Sequence, residues 1–124
     1  KLLRQCENPL LLDIHNVHAN ATNFGYDAEA FLDAMPLARV HTVHIAGGKW
    51  IGDDDGNRRY LDDHLNPVSD PTYALLESLA AKAPNPLTVI LERDGRYPAM
   101  QKLLDELDRA RAAVARGRER RERS

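Results

Sequence analysis

Three short apolar runs in this chain each end on or beside a residue that can bind a metal, and stretches with helical periodicity separate them. The first, residues 9–13, is proline and three leucines closing on Asp13. The second, residues 39–45, carries His44 next to its end, and the third, residues 87–92, finishes on Glu92. Strand-sized apolar runs alternating with amphipathic stretches are the pattern of βα units, and βα units build parallel sheets. The predicted fold class is therefore α/β, with three parallel strands whose right-handed crossovers bring Asp13, His44 and Glu92 to one sheet edge.

The connecting stretches support this. Asp27 can cap a helix in which Ala28, Phe31, Leu32 and Met35 share one face, and Pro36 ends it. Asp70-Pro71 reads as an N-cap followed by proline at the first helical position, opening a helix with Leu75, Leu76 and Leu79 turned inward. A long helix from about Pro98 carries Met100, Leu103, Leu104, Leu107 and Val114 on one stripe. Residues 115–124, where arginine and glutamate mix, read as a frayed, solvated helix end. Residues 49–69 read as a polar loop, too long to be mere connection and so expected to be functional.

Three βα units close nothing, because a (β/α) barrel takes eight strands and about 250 residues. An open three-stranded parallel sheet with helices on one face leaves the other face bare. The chain, residues 1–124, is accordingly read as a single partial domain, the C-terminal part of a (β/α)8 TIM barrel. As an isolated piece it is expected to expose apolar sheet surface and to be unstable or self-associated unless the missing half is present.

Bulk properties remove several function classes. With 43% hydrophobic and 29% charged residues, the chain is globular rather than disordered. A net charge of -2 gives no drive toward nucleic acid or membrane surfaces. No apolar run nears the roughly 20 residues of a membrane span. The opening Lys1-Leu2-Leu3-Arg4 meets Cys6 and Glu7 before an apolar segment develops, so it is not read as a signal peptide. A single cysteine, Cys6, excludes an internal disulfide framework and a thiolate zinc cluster, and a cytoplasmic setting is expected.

In parallel barrels the active site lies at the C-terminal strand ends. Three of three readable ends carry metal-ligand types. Asp62 and His64, two apart, point the same way in an extended segment and can chelate one ion. Carboxylate with imidazole and no thiolate suits iron(II), manganese or zinc. His41 alternates to the face opposite His44 and is read as a surface or packing residue. Gly47-Gly48-Lys49 lacks the hydroxyl residue and leading glycine of a phosphate loop, and Asp53-Asp54-Asp55-Gly56 would make Ile51 the first calcium ligand, so neither is retained.

Four motifs, in order, carry a family resemblance. They are Leu10-Leu11-Leu12-Asp13-Ile14-His15-Asn16-Val17-His18-Ala19-Asn20 with Asn23-Phe24-Gly25-Tyr26-Asp27; Val43-His44-Ile45-Ala46-Gly47; Asp62-Asp63-His64 before Pro67-Val68-Ser69-Asp70-Pro71; and Leu91-Glu92-Arg93-Asp94. Together they resemble the second half of the multinuclear non-haem iron TIM barrels, a xylose-isomerase-like family that includes the methanobactin-biosynthesis oxidase. The resemblance covers roughly residues 9 to 114. It implies two or three iron ions, oxidation by dioxygen of cysteine in ribosomally made peptides, and a small partner protein that delivers the peptide.

Carried over by position, the implied metal ligands are Asp13, Asn16, His44, Asp62, His64 and Glu92. Many relatives carry histidine at the position of Asn66 and asparagine at that of His15, and the family's earlier histidine and glutamate ligands belong to the first half of the barrel. Two other readings stand beside the iron enzyme: a zinc or manganese isomerase or hydrolase of the xylose-isomerase-like superfamily, and an inactive fragment serving as a binding or oligomerisation module. Catalytic residues other than metal ligands are not assigned.

Overall fold

The order of elements follows from where the apolar runs fall. A computed structural model describes residues 9–52, 56, 58–61 and 63–123. Strand β1 (Leu10–Asp13) leads into helix α1 (Ile14–Phe24), helix α2 (Ala28–Asp33) and a 3-10 turn (Leu37–Arg39). Strand β2 (Val40–Ile45) is followed by β3 (Lys49–Gly52) and β4 (Arg58–Leu61). Helix α3 (Asp70–Lys82), strand β5 (Thr88–Leu91) and helix α4 (Met100–Arg123) complete the chain. The three expected strands form one parallel sheet in the order β1-β2-β5, while β3 and β4 pair as an antiparallel hairpin. The result is a mixed α/β arrangement compatible with part of a TIM-barrel-like fold.

Side chains alternate across a strand, so each parallel strand has one face toward the helices and one away. Leu12, Val43 and Ile45 are buried, with Val89 and Leu91 packed against the same core. Leu32 from α2 and Leu76 and Leu79 from α3 meet them there with no exposed surface. Truncating either α3 leucine to alanine would cost about 2–5 kcal/mol. The opposite sheet face is open: Leu11 is 53% and Ile90 41% exposed, and Thr88 is exposed as well. Among the described residues, no helix is long and apolar enough to cross a membrane.

Several elements differ from the sequence reading. The residues after Asp13, for which no helix is expected from the sequence, form α1: Ile14, Val17 and Ala21 recur at helical spacing and are buried. Asp27 caps α2 as expected, accepting from Glu29 N at 3.0 Å, but Phe31 turns outward at 38% exposure and pairs loosely with Tyr26. The N-cap of α3 is Ser69 rather than Asp70. The long segment read as a loop contains the β3–β4 hairpin, which is docked through Tyr60. Asn23 donates from Nδ2 to Tyr60 O at 2.7 Å and accepts Tyr60 N at 2.6 Å, so its amide substitutes for a neighbouring strand.

The end of α4 is the largest departure. Residues 115–123 stay helical and lie against α3 instead of fraying into solvent. Four arginines make the attachment. Arg116 and Arg120 pair with Glu77, Arg118 donates to the carbonyls of Ala83 and Asn85, and Arg121 donates to those of Ala81 and Lys82. The last carbonyls of any helix lack intrahelical partners, and these guanidinium groups supply them. The helices can come this close because Gly117 is buried at the crossing, where a Cβ would run into Glu77 O and Ala80 Cβ.

That crossing is directly testable. Alanine is ordinarily about 1 kcal/mol better than glycine inside a helix. Here overpacking against backbone, typically 1–3 kcal/mol, opposes and exceeds that gain. Gly117→Ala should lower the melting temperature, whereas an exposed control such as Ala112→Gly should cost only the helix-propensity difference. A Gly117→Ala protein that melts higher than wild type would refute the close approach.

Candidate metal centre

Register sets the site. Asp13 is the Cα partner of His44 across the β1–β2 pair, and Glu92 N donates to Ile45 O at 2.9 Å just past the end of β5. Three strand ends are thereby held level along one edge. His44 Nδ1 contacts Glu92 Oε1 and lies 3.5 Å from Asp13 Oδ1. Asp13, His44 and Glu92 each present a ligand-type atom, all within 4.8 Å of one another. Asp13 stands at the N-cap position of α1 but its side chain makes no capping hydrogen bond. Its Oδ1 is buried and has no hydrogen-bond partner among the described residues. A carboxylate withheld from the role its position favours, and aimed at an imidazole and a second carboxylate, is set up to receive a cation.

A second group of side chains adjoins the first through Glu92, whose Oε2 lies 3.7 Å from His64 Nδ1. Asp94 Oδ2 lies 3.0 Å from the same nitrogen. His64 has φ +56, a left-handed conformation that non-glycine residues seldom adopt and that costs on the order of 1 kcal/mol. Two backbone bonds hold it there: His64 N donates to Gly47 O at 3.1 Å, and Asp94 N donates to His64 O at 2.8 Å. The loop carrying Glu92 and Asp94 is anchored from behind. Arg93, little exposed, faces Glu106 at 3.9 Å and donates to the carbonyls of Gly95 and Arg96, while Glu106 Oε1 accepts Val68 N at 2.7 Å.

His15, in the first turn of α1, completes the cluster. It is buried at 4% exposure. Its Nδ1 donates to His44 O at 3.1 Å, and its Nε2 lies 3.1 Å from His64 Nε2, with the rings edge-on at 4.8 Å.

Of the residues singled out from sequence, Asp13, His44, His64 and Glu92 come together. Asp62 lies outside the described residues. Asn16 sits on the exposed side of α1, where its Oδ1 accepts from Asn20 at 3.2 Å and it lines a groove with Asn23, Arg59 and Tyr60. His41 is exposed. Sequence reasoning missed His15 and Asp94. Asp94, two residues beyond Glu92 in an extended stretch, carried a signal in its spacing. His15 carried none by strand logic, because the chain has already turned helical there.

A family model described as "RiPP precursor modification enzyme MbnB/TglH/ChrH" matches residues 1–115. The chain belongs to this family. It is 42% identical over 108 residues to a UPF0276 protein of Bordetella bronchiseptica, a match covering 87% of this chain and 37% of that protein. UPF0276 proteins of Caulobacter vibrioides and Pseudomonas aeruginosa are each 40% identical, over 109 and 111 residues, covering 88% and 89% of this chain and 37% of each relative. The chain thus spans a little over a third of the length of these family members.

One neighbouring imidazole makes a prediction independent of any metal. His18 packs edge-on against Tyr60 at 4.9 Å, and burial holds it below its ordinary value of 6.5. The folded state therefore resists a proton that the unfolded chain accepts. This group's contribution is intact above the unfolded value near 6.5 and is lost as pH falls through the folded value. Its slope is at most about 1.4 kcal/mol per pH unit. Urea unfolding at pH 7.5 and 5.0 should show wild type losing more stability than His18→Gln. An equal loss in both proteins would contradict the burial.

Proposed function

We propose that this chain is the C-terminal part of a (β/α)8 barrel whose strand-end residues hold iron, and that the complete protein uses it to modify a ribosomally made peptide. The observation that carries the reading is the Asp13, His44, Glu92 triplet, its ligand atoms within 4.8 Å, with a buried Asp13 oxygen lacking any other partner. The donor set fits. Carboxylates and imidazoles without thiolate suit iron(II), and a cation offsets the mutual repulsion of Asp13 and Glu92 around His44.

Asp13, His44 and Glu92 would hold one ion. His64 would hold another, with Asp62 and, as a neutral ligand, Asn16, and Glu92, whose second oxygen faces His64, lies between the two groups. Asp94 joins this set on the strength of its 3.0 Å approach to His64. Two or three ions fill the complete barrel. When bound, iron supplies dioxygen activation and electron transfer at an open coordination position. This chain's residues set the geometry: the sheet register levels the ligands, and the Gly47 and Asp94 backbone bonds fix His64.

The open sheet face supports the barrel reading. Leu11, Thr88 and Ile90 lie on the side of the sheet that a closed barrel turns inward. The rest of the barrel would cover them, and residues 1–124 would form one partial domain within it. The family supports a ribosomally made peptide precursor as substrate; in this reading its cysteine is oxidised with dioxygen, a small delivery protein brings it, and the setting is the cytoplasm.

Metal analysis tests this. In anaerobically purified protein, His44→Ala should lose most bound iron while its melting temperature falls only slightly, since the His44 side chain is partly exposed. His41→Ala should keep wild-type iron. Equal iron in wild type and His44→Ala would refute the site, and zinc or manganese in place of iron would move the protein to isomerase or hydrolase chemistry.

A further inference from the structure

We infer that the groove between α1 and β4 receives an extended, acidic stretch of the peptide substrate, an inference that rests on the peptide-modifying reading above. The groove encloses about 450 Å³ and is lined by Asn16, Asn20 and Phe24 from α1 and by Arg59 and Leu61 from β4. That is the size of a small-ligand site, enough for a short chain segment and too little for a folded domain. Its inner end is Asn16, in the first turn of α1 and three residues after Asp13. Its outer end is Phe24, 77% exposed, which at the rise of a helix is about 12 Å farther on. An extended peptide covers that distance in about four residues.

Helix α1 already shows how it holds an extended backbone. Asn23 donates to the carbonyl of Tyr60 and accepts its N–H, at 2.7 and 2.6 Å. A side-chain amide carries both a donor and an acceptor, so it can engage a strand whatever that strand's side chains are. Asn16 and Asn20 lie on the same helix with no strand beside them to hold. Asn20 Nδ2 donates to Asn16 Oδ1 at 3.2 Å, and that one bond leaves the Asn20 oxygen and an Asn16 N–H open to another partner. The two residues are separated by a rise of about 6 Å, close to the two-residue repeat of an extended chain, roughly 6.6 Å.

Charge sets the kind of peptide. Arg58 lies over the Trp50 ring at 4.7 Å, but Arg59 is exposed and makes no hydrogen bond or ion pair among the described residues. Leu61 is at the neck, its carbonyl against Gly48, so Arg59 stands two positions farther out along the hairpin. A carboxylate on the bound segment would complete it there. The chain as a whole carries a net charge of -2, so attraction of an acidic peptide runs against its bulk charge and is specific to this place.

Binding to the complete protein tests this, with two dye-labelled decapeptides read by fluorescence anisotropy: alternating serine and glutamate, and alternating serine and lysine. Alternation puts every charge on one side of an extended chain. The glutamate peptide should bind about fivefold more tightly at low salt, and the difference should vanish near about 1 M salt, as for an exposed charge pair. Arg59→Glu should reverse the preference. Arg59→Gln, which removes the charge alone, should abolish it, and decides the matter if the reversed protein does not fold. Asn20→Ala should weaken both peptides about two- to tenfold, the loss of one hydrogen bond, and leave the preference in place. Equal binding of the two peptides, binding of neither, or a preference unchanged in Arg59→Glu would overturn the inference. Neither peptide contains cysteine, so a protein that takes up no iron yet keeps the preference would overturn the metal centre and leave the groove.

Discussion

The parallel register of three short strands is the constraint on which the rest depends. Leu10–Asp13, Val40–Ile45 and Thr88–Leu91 pair so that Asp13 stands opposite His44, and the amide of Glu92 extends the ladder by one bond to Ile45. Crossover connections return each strand in the same direction, so residues far apart in the chain end at one level. Neither helix propensity nor loop chemistry could achieve this alone. A slip of one residue would turn His44 to the helix side of the sheet and bring Val43 into its place.

What the register begins, the loops finish at some energetic cost. His64 is kept in a left-handed conformation, and Asp13 gives up the cap it could make to α1. Both are losses for folding, and in the proposed reading they are gains for a cation site. The offset comes from the helix side. The apolar sheet face, the α3 leucines and the arginine-to-carbonyl contacts between α4 and α3 form the more regular part of the molecule. Tyr73 ties α3 to α4: its hydroxyl donates to Glu106 O, its ring lies under Arg109, and burial with the nearby Glu106 charge pushes it up to about 12.

The strands were legible because apolar runs of their length, each followed by a polar residue, have few alternatives. Helix α1 was not, since His15, Asn16, His18 and Asn20 obscure the spacing of Ile14, Val17 and Ala21. The β3–β4 hairpin was hidden because its strands are short and only Ile51 and Tyr60 are even partly covered. The arginines of α4 looked like a solvated end because sequence does not reveal that carbonyls of another helix lie within reach. In the site, the strand-end cluster of Asp13, His44 and Glu92 could be read from pattern. His15 could not, because its place depends on a hydrogen bond to a backbone atom 29 positions away.

Between Gly47 and Pro67 the chain leaves the sheet and comes back through a narrow neck. Gly47 lies so close to the backbone of Asn66 and Pro67 that no side chain fits between them, and its carbonyl receives His64 N. Beyond this neck the hairpin is held to the rest mainly through Tyr60, which Asn23 bonds and His18 packs against. The entropy of closing a loop grows only slowly with its length, so such an appendage can lengthen, shorten or change composition without disturbing its base. His64 belongs to the base, and the exposed residues of β3 and β4 do not. The fold thus separates a part that must be inherited intact from one that is free to diverge, and family members can come to differ in what they present beside the centre while keeping the centre itself.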